Sequence, residues 1–246
     1  PSDAYKAVAE QAKEFLPTYM HPWMNRSVCK RTVMTIPYNA TKDSSRKYIR
    51  ESLLEEGIDP TKDELTQIVN AVYNSMDTIV PGPMQVMRWI KKHVGQYIRD
   101  GATAVEWVTP SGFIVNQRRD DIETEQMELQ LLGRTRVRLP TGRSTPSPNK
   151  HKSSTAPNYI HSFDASILHR SFNQFNEPFT VIHDSVLCRA GDMGTLNRLV
   201  RETYANIFSE EDWLSKFAET INASEPPPIV GTLNPKDVSN STYFFC

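Results

Sequence analysis

The sequence predicts an α+β chain, mostly helical, carrying small antiparallel hairpins. Apolar residues recur at helical spacing through much of residues 5–99. Farther along, short apolar or alternating runs flank clusters of turn residues. With 38% apolar residues, four Trp, nine Tyr and ten Phe, the 246 residues can build one large core or two modest ones. No run of about 18 apolar residues reads as a membrane span. The first residues have neither the basic start nor the apolar core of a signal peptide. Cys29, Cys188 and Cys246 show no paired spacing, which argues against a disulfide framework and for a reducing compartment.

The elements follow in order. Residues 5–15 form a helix with Val8, Ala9, Ala12 and Phe15 inward, and Pro17 and Pro22 bracket a break. Asn25 caps a second helix reaching about Ile36, which Pro37 ends or kinks. Residues 41–57 read as a polar, exposed helix stopping at Gly57. Thr61 or Asp63 caps a helix through Met76. Pro81-Gly82-Pro83 reads as a turn before a helix over 84–99, striped by Met87, Ile90, Val94 and Ile98. Residues 104–108 and 113–115 form a hairpin, and 127–139 a longer one around Gly133. Residues 141–157, rich in Gly, Ser, Thr, Pro and Lys, read as a loop. A helix over about 162–175 with Ser162 as a possible cap, two apolar strands over 179–182 and 186–189, and helices over 192–208 and 211–221 complete the chain.

Composition alone stops short of function, since the net charge is −1. The averaged charge hides Arg134, Arg136, Arg138, Arg143, Lys150 and Lys152, a run without an acid that reads either as a solvated loop or as a nucleic-acid contact. Arg26, Lys30, Met34 and Tyr38 recur every four residues and share a helix face, with Arg31 alongside. Such a face is either solvated or a clamp for polyphosphate, with Met and Tyr offering surface to a base and sugar. His183-Asp184-Ser185 sits between strands expected to be buried, where Asp184 is either a turn residue or a carboxylate facing a metal ion. Three sequential side chains cannot line up as a catalytic triad. His161 and His169 are spaced too widely for an ordinary zinc pair, and a third ligand is not apparent.

These features occur together and in order. RSVCKRTVMTIPY at 26–38 resembles the fingers helix, motif B, of single-subunit phage and mitochondrial RNA polymerases. APNYIHSFD at 156–164 resembles a conserved segment of that family, and VIHDS at 181–185 its palm motif C. EWVTPSG at 106–112 and the ending Tyr243-Phe244-Phe245 match as well. The resemblance implies the fingers and palm of a right-hand polymerase: fingers helices at about 24–103, hairpins with a specificity-loop-like segment at 104–155, and palm with tail at 156–246. It implies template-directed RNA synthesis by two-metal nucleotidyl transfer, with DNA template and promoter, nascent RNA and nucleoside triphosphates as partners.

By the same resemblance Asp184 binds the Mg²⁺ pair, and Arg26, Lys30 and Arg31 hold the triphosphate. Tyr38 and His161 stand by the sugar, Met34 lies against the nascent base pair, and Arg136 and Arg138 contact DNA. Family members usually carry Gly at the position of Asn39, and Pro37 is also a departure. The second metal aspartate, on motif A, has no match here, so the chain is expected to be truncated or completed by a partner subunit, and inactive alone. The setting implied is an infected host's cytoplasm or a mitochondrial matrix, away from membranes. Rival readings are a family A DNA polymerase, whose palm turn reads His-Asp-Glu rather than His-Asp-Ser, and a non-catalytic subunit of a split polymerase.

Overall fold

Helical periodicity carries the first part of the chain as expected. The structure is a computed structural model describing residues 3–130, 133–183, 185–229, 231–242 and 244. Five helices come first: α1 (Ala4–Lys13), α2 (Arg26–Thr35), α3 (Lys42–Glu55), α4 (Lys62–Ile79) and α5 (Pro81–Arg99). Asp3, Asn25, Thr41 and Thr61 accept from first-turn amides, and Thr61 and Glu64 complete a capping box. Gly57 ends α3 in a left-handed conformation, its amide bonded to Leu54 and that of Ile58 to Leu53. α1 packs on α4 and α2, and α2 on α3, enclosing Val8, Met20, Val28, Ile49, Leu53, Ile68 and Val72. The stripe of Ser45, Ile49 and Leu53 makes α3 amphipathic rather than simply exposed.

Three antiparallel hairpins follow: β1 (Val105–Val108) with β2 (Ile114–Gln117), β3 (Asp120–Leu129) with β4 (Thr135–Pro146), and β5 (Phe179–Ile182) with β6 (Ser185–Cys188). Between the second and third runs α6 (Pro148–Phe172), and the chain continues through α7 (Met193–Glu210) and α8 (Trp213–Thr220). β1 docks through Trp107, whose ring lies edge-on to Tyr159 and Phe217 at 5.8 and 6.1 Å. A smaller core of Phe175, Leu196, Leu199 and Val200 sits under α7.

Several expectations need correction. α1 stops at Lys13, leaving Phe15 exposed. Pro81-Gly82-Pro83 is no turn but the first turn of α5, where missing amide donors cost nothing. The loop expected over 141–157 is instead the end of β4 and the first turns of α6. Buried His151, Thr155, Ala156 and Tyr159 anchor that helix, and tertiary packing overrides the helix-breaking composition. Ser162 accordingly lies mid-helix: it donates to the Tyr159 carbonyl at 2.6 Å and accepts from Trp107 at 3.0 Å. The strands of the third hairpin, expected to be buried, are exposed or half-buried, with Ile182 and Leu187 each 59% exposed. Phe179 does stack on Phe172, rings 4.1 Å apart.

Candidate active site

α2 presents its chemistry because its other face is buried. Val28, Cys29, Thr32 and Val33 face the core, leaving Arg26, Lys30, Arg31 and Met34 exposed. The predicted row therefore exists as one surface. Its cations are not equivalent. The Arg26 Nε donates to Asp3 at 2.6 Å, and its guanidinium lies 5.4 Å from the Tyr5 ring. Arg31 donates to Glu51 at 2.8 Å and stacks over Tyr48 at 4.0 Å. Lys30 has no ion pair or hydrogen bond among the described residues. Exposed pairs such as Arg26–Asp3 and Arg31–Glu51 are screened by solvent and weakly held, so an incoming anion could displace them.

The end of α2 is a Schellman turn: the amide of Ala40 bonds to Thr35 and that of Asn39 to Ile36, with Asn39 left-handed at φ 65°. The turn expected of Gly thus survives with Asn, the residue next most tolerant of this conformation. It leaves Tyr38 exposed, its ring 4.7 Å from that of His161 on α6. Two residues from distant segments thereby meet, for which the family resemblance implies a place by the same sugar.

His161 borders a cleft of about 410 Å³ between β2 and α6, lined also by Asn116, Arg118, Arg119, Asn158 and Ser162. A buried polar network holds its walls. Gln117 donates to Thr155 at 2.8 Å and accepts from Asn158 at 2.6 Å. The fully buried His151 bonds through Nδ1 to the Ser147 carbonyl at 2.8 Å, and its Nε2 accepts from the Arg119 amide at 3.2 Å. That is the pattern of a neutral imidazole. Sequence reasoning missed Gln117, Asn158 and His151, because side chains with no periodicity disclose a partner only once the helix is in place.

Arg136 and Arg138 lie two apart on β4 and are both exposed. The basic run is partly balanced by the facing strand: Glu128 pairs with Arg134 and lies 3.8 Å from Arg136, and Asp121 pairs with Lys150 at 2.9 Å. Arg138 has no ion pair among the described residues. At the third hairpin, His183 is exposed and left-handed at φ 56°, while Asp184 lies outside the described residues. Among the described residues, no group of three or more His, Cys, Asp or Glu could hold a metal ion, and no helix is long and apolar enough to cross a membrane.

Comparison with known proteins addresses the whole segment. Residues 1–227 match the family model for DNA-dependent RNA polymerase. The chain is 28% identical to the DNA-directed RNA polymerase of Enterobacteria phage K11, over 90% of this chain and 28% of the relative. It is 28% identical to T7 RNA polymerase of Escherichia phage T7, over 90% of this chain and 29% of the relative. With the human mitochondrial DNA-directed RNA polymerase it shares 26% identity, over 100% of this chain and 23% of the relative. The chain thus spans under a third of the length of these relatives. A family model covering nearly all its residues, joined by phage and mitochondrial relatives, shows that the chain belongs to the DNA-dependent RNA polymerase family of phage and mitochondrial type.

Proposed function

We propose that this chain forms part of the nucleotide-adding centre of a DNA-directed RNA polymerase, acting on ribonucleoside triphosphates, a DNA template and nascent RNA. The observation that supports this reading best is the Tyr38–His161 ring contact at 4.7 Å. In it, Lys30 is the uncommitted cation that meets the triphosphate. Arg26 and Arg31 join by exchanging Asp3 and Glu51 for phosphate oxygens. Met34 lies against the nascent base pair, while Tyr38 and His161 read the ribose. Arg136 and Arg138 contact promoter DNA, where arginine suits either phosphate or guanine. Residues 24–103 then serve as fingers, 104–155 as hairpins, and 156–246 as palm with tail.

Asp184 is the proposed Mg²⁺ ligand, the ions supplying charge stabilisation at the attacking and leaving oxygens. The described residues assemble no group of three or more His, Cys, Asp or Glu that could hold a metal ion. One carboxylate is too few, and we place the second on a motif A contributed by a preceding segment or a complementing subunit. The setting proposed is an infected cell's cytoplasm or a mitochondrial matrix.

Primer extension on a DNA template, with Mg²⁺ and either ribo- or deoxyribonucleotides, tests this reading. The chain is assayed alone and joined to the polymerase portion bearing motif A. Addition is expected only in the joined form, with ribonucleotides, and is lost in Asp184→Asn. A preference for deoxyribonucleotides would favour a family A DNA polymerase. Synthesis retained by Asp184→Asn would refute the metal role.

A further inference from the structure

α6 runs uninterrupted through Pro157. Proline has no amide hydrogen, so the carbonyl four residues earlier loses its helical donor. That carbonyl belongs to Ser153, and the side-chain amide of Asn39 donates to it at 3.1 Å. Neighbouring hydroxyls are committed elsewhere, since Ser153 and Ser154 both donate to the Lys150 carbonyl, at 2.9 and 2.8 Å. Asn39 closes α2 next to Tyr38, and His161 lies one turn beyond Pro157 on α6. On its other side the same turn is pinned to α4, where the Tyr73 hydroxyl donates to the Ala40 carbonyl at 2.8 Å.

We infer that Asn39 is a positioning residue: its amide, seated on the carbonyl that Pro157 leaves without a helical donor, latches the end of α2 to α6 and holds Tyr38 against His161. The left-handed backbone at this position does not itself call for Asn, and Gly would adopt it more readily. That backbone does not account for the amide, which Gly lacks. Ser153 is exposed and water competes for its carbonyl, so the bond serves less to rescue a buried group than to fix where the end of α2 sits on α6. The consequence for sugar selection rests on the ribose role proposed above, whereas the latch does not.

The test separates the two. Asn39→Gly keeps the turn and removes the amide. Pro157→Ala returns an N–H to α6, which competes for the Ser153 carbonyl while raising helix propensity. The His161 imidazole proton shifts are read by NMR on the full chain, assigned with His161→Gln, with Tyr38→Leu marking the unstacked value. Both Asn39→Gly and Pro157→Ala are expected to move these shifts toward that unstacked value. Pro157→Ala should do so without lowering Tm, a combination that a purely structural role does not give. Unchanged His161 shifts in both variants would overturn the latch. In the joined polymerase, Asn39→Gly should lower the ribose-to-deoxyribose ratio of kcat/KM several-fold. Loosened rings with an unchanged ratio would leave the latch standing and sink the ribose role.

Discussion

At the scale of single residues, burial and pairing sort groups that the sequence presents as equals. Cys29 is fully buried on the inner face of α2, and burial pushes its thiol up to about 12, whereas Cys188 is only half-buried. The thiolate is the reactive form. An alkylating agent at pH 8 should therefore label Cys188 in the folded chain and Cys29 only after unfolding, as read by peptide mapping; prompt labelling of Cys29 would contradict the burial. Lys30 and Arg31 are adjacent cations, yet Arg31 is held by Glu51 and Tyr48 while Lys30 is not. A charged hydrogen bond contributes about 1.5–3 kcal/mol. In the joined polymerase, Lys30→Ala should raise the KM for nucleotide by roughly tenfold or more, on that same scale, and Arg31→Ala less, with DNA affinity little changed. The reverse ranking would make this face a template contact. Asp3 offers a pH signature: its bond to Arg26, followed by that to the Lys6 amide, holds its carboxyl below the ordinary 3.8. A depressed carboxyl stabilises the fold above its unfolded pKa, and that contribution is lost as pH falls through the lower folded value. The Tm difference between wild type and Asp3→Asn should thus persist at neutral pH and vanish in strong acid.

At the scale of elements, the β1–β2 hairpin is bound to α6 by few but buried groups. Gln117 is 5% exposed and bridges Thr155 and Asn158. Gln117→Ala removes the acceptor of the Asn158 amide and one of the two bonds of Thr155, which keeps the His151 carbonyl, so it should cost about 1–2 kcal/mol in denaturant unfolding and loosen the His161 cleft. A loss within experimental error would mean that water replaces the amide freely. The same contrast explains what the sequence discloses. α2 was legible because one face is apolar and the other cationic over a short uninterrupted run, a pattern that burial alone enforces. The first half of α6 was not, since Ser147 caps it, Ser153, Ser154 and Thr155 bond back to earlier carbonyls, and His151 is fully buried, whereas its second half falls within the helix expected over about 162–175. All these are tertiary or local side-chain effects that oppose the loop-like composition. The residues of the candidate site were named largely from the family resemblance, while their pairing at Tyr38 and His161 needed the fold. The apolar strands beside Asp184 are more exposed than their composition suggests, because hydrophobicity yields burial only where a covering layer exists: among the described residues Val186 and Cys188 pack against the small core and Phe179 stacks on Phe172, while Ile182 and Leu187 stay exposed.

At the scale of the whole molecule, a near-neutral net charge conceals two surfaces of different charge pattern. The α2 face carries cations above a deep core, while β3 and β4 form a long exposed hairpin with acids on one strand and bases on the other. Cross-strand register sets Glu128 opposite Arg136 but Gln126 opposite Arg138, so the two arginines differ in charge compensation although neither is buried. Binding to duplex DNA releases about 0.9 counterion for each phosphate neutralised. If the hairpin meets promoter DNA as proposed, Arg138→Gln in the joined polymerase should shallow the slope of log K against log salt by about one. Arg136→Gln should change it less, because that guanidinium already faces Glu128, while Glu128→Gln should steepen binding by freeing it. Lys30→Ala, on the other surface, should leave the slope alone. A salt slope that responds to Lys30 but ignores both hairpin arginines would move DNA contact from the hairpin to the fingers helix and would also remove Lys30 from its assigned place at the triphosphate.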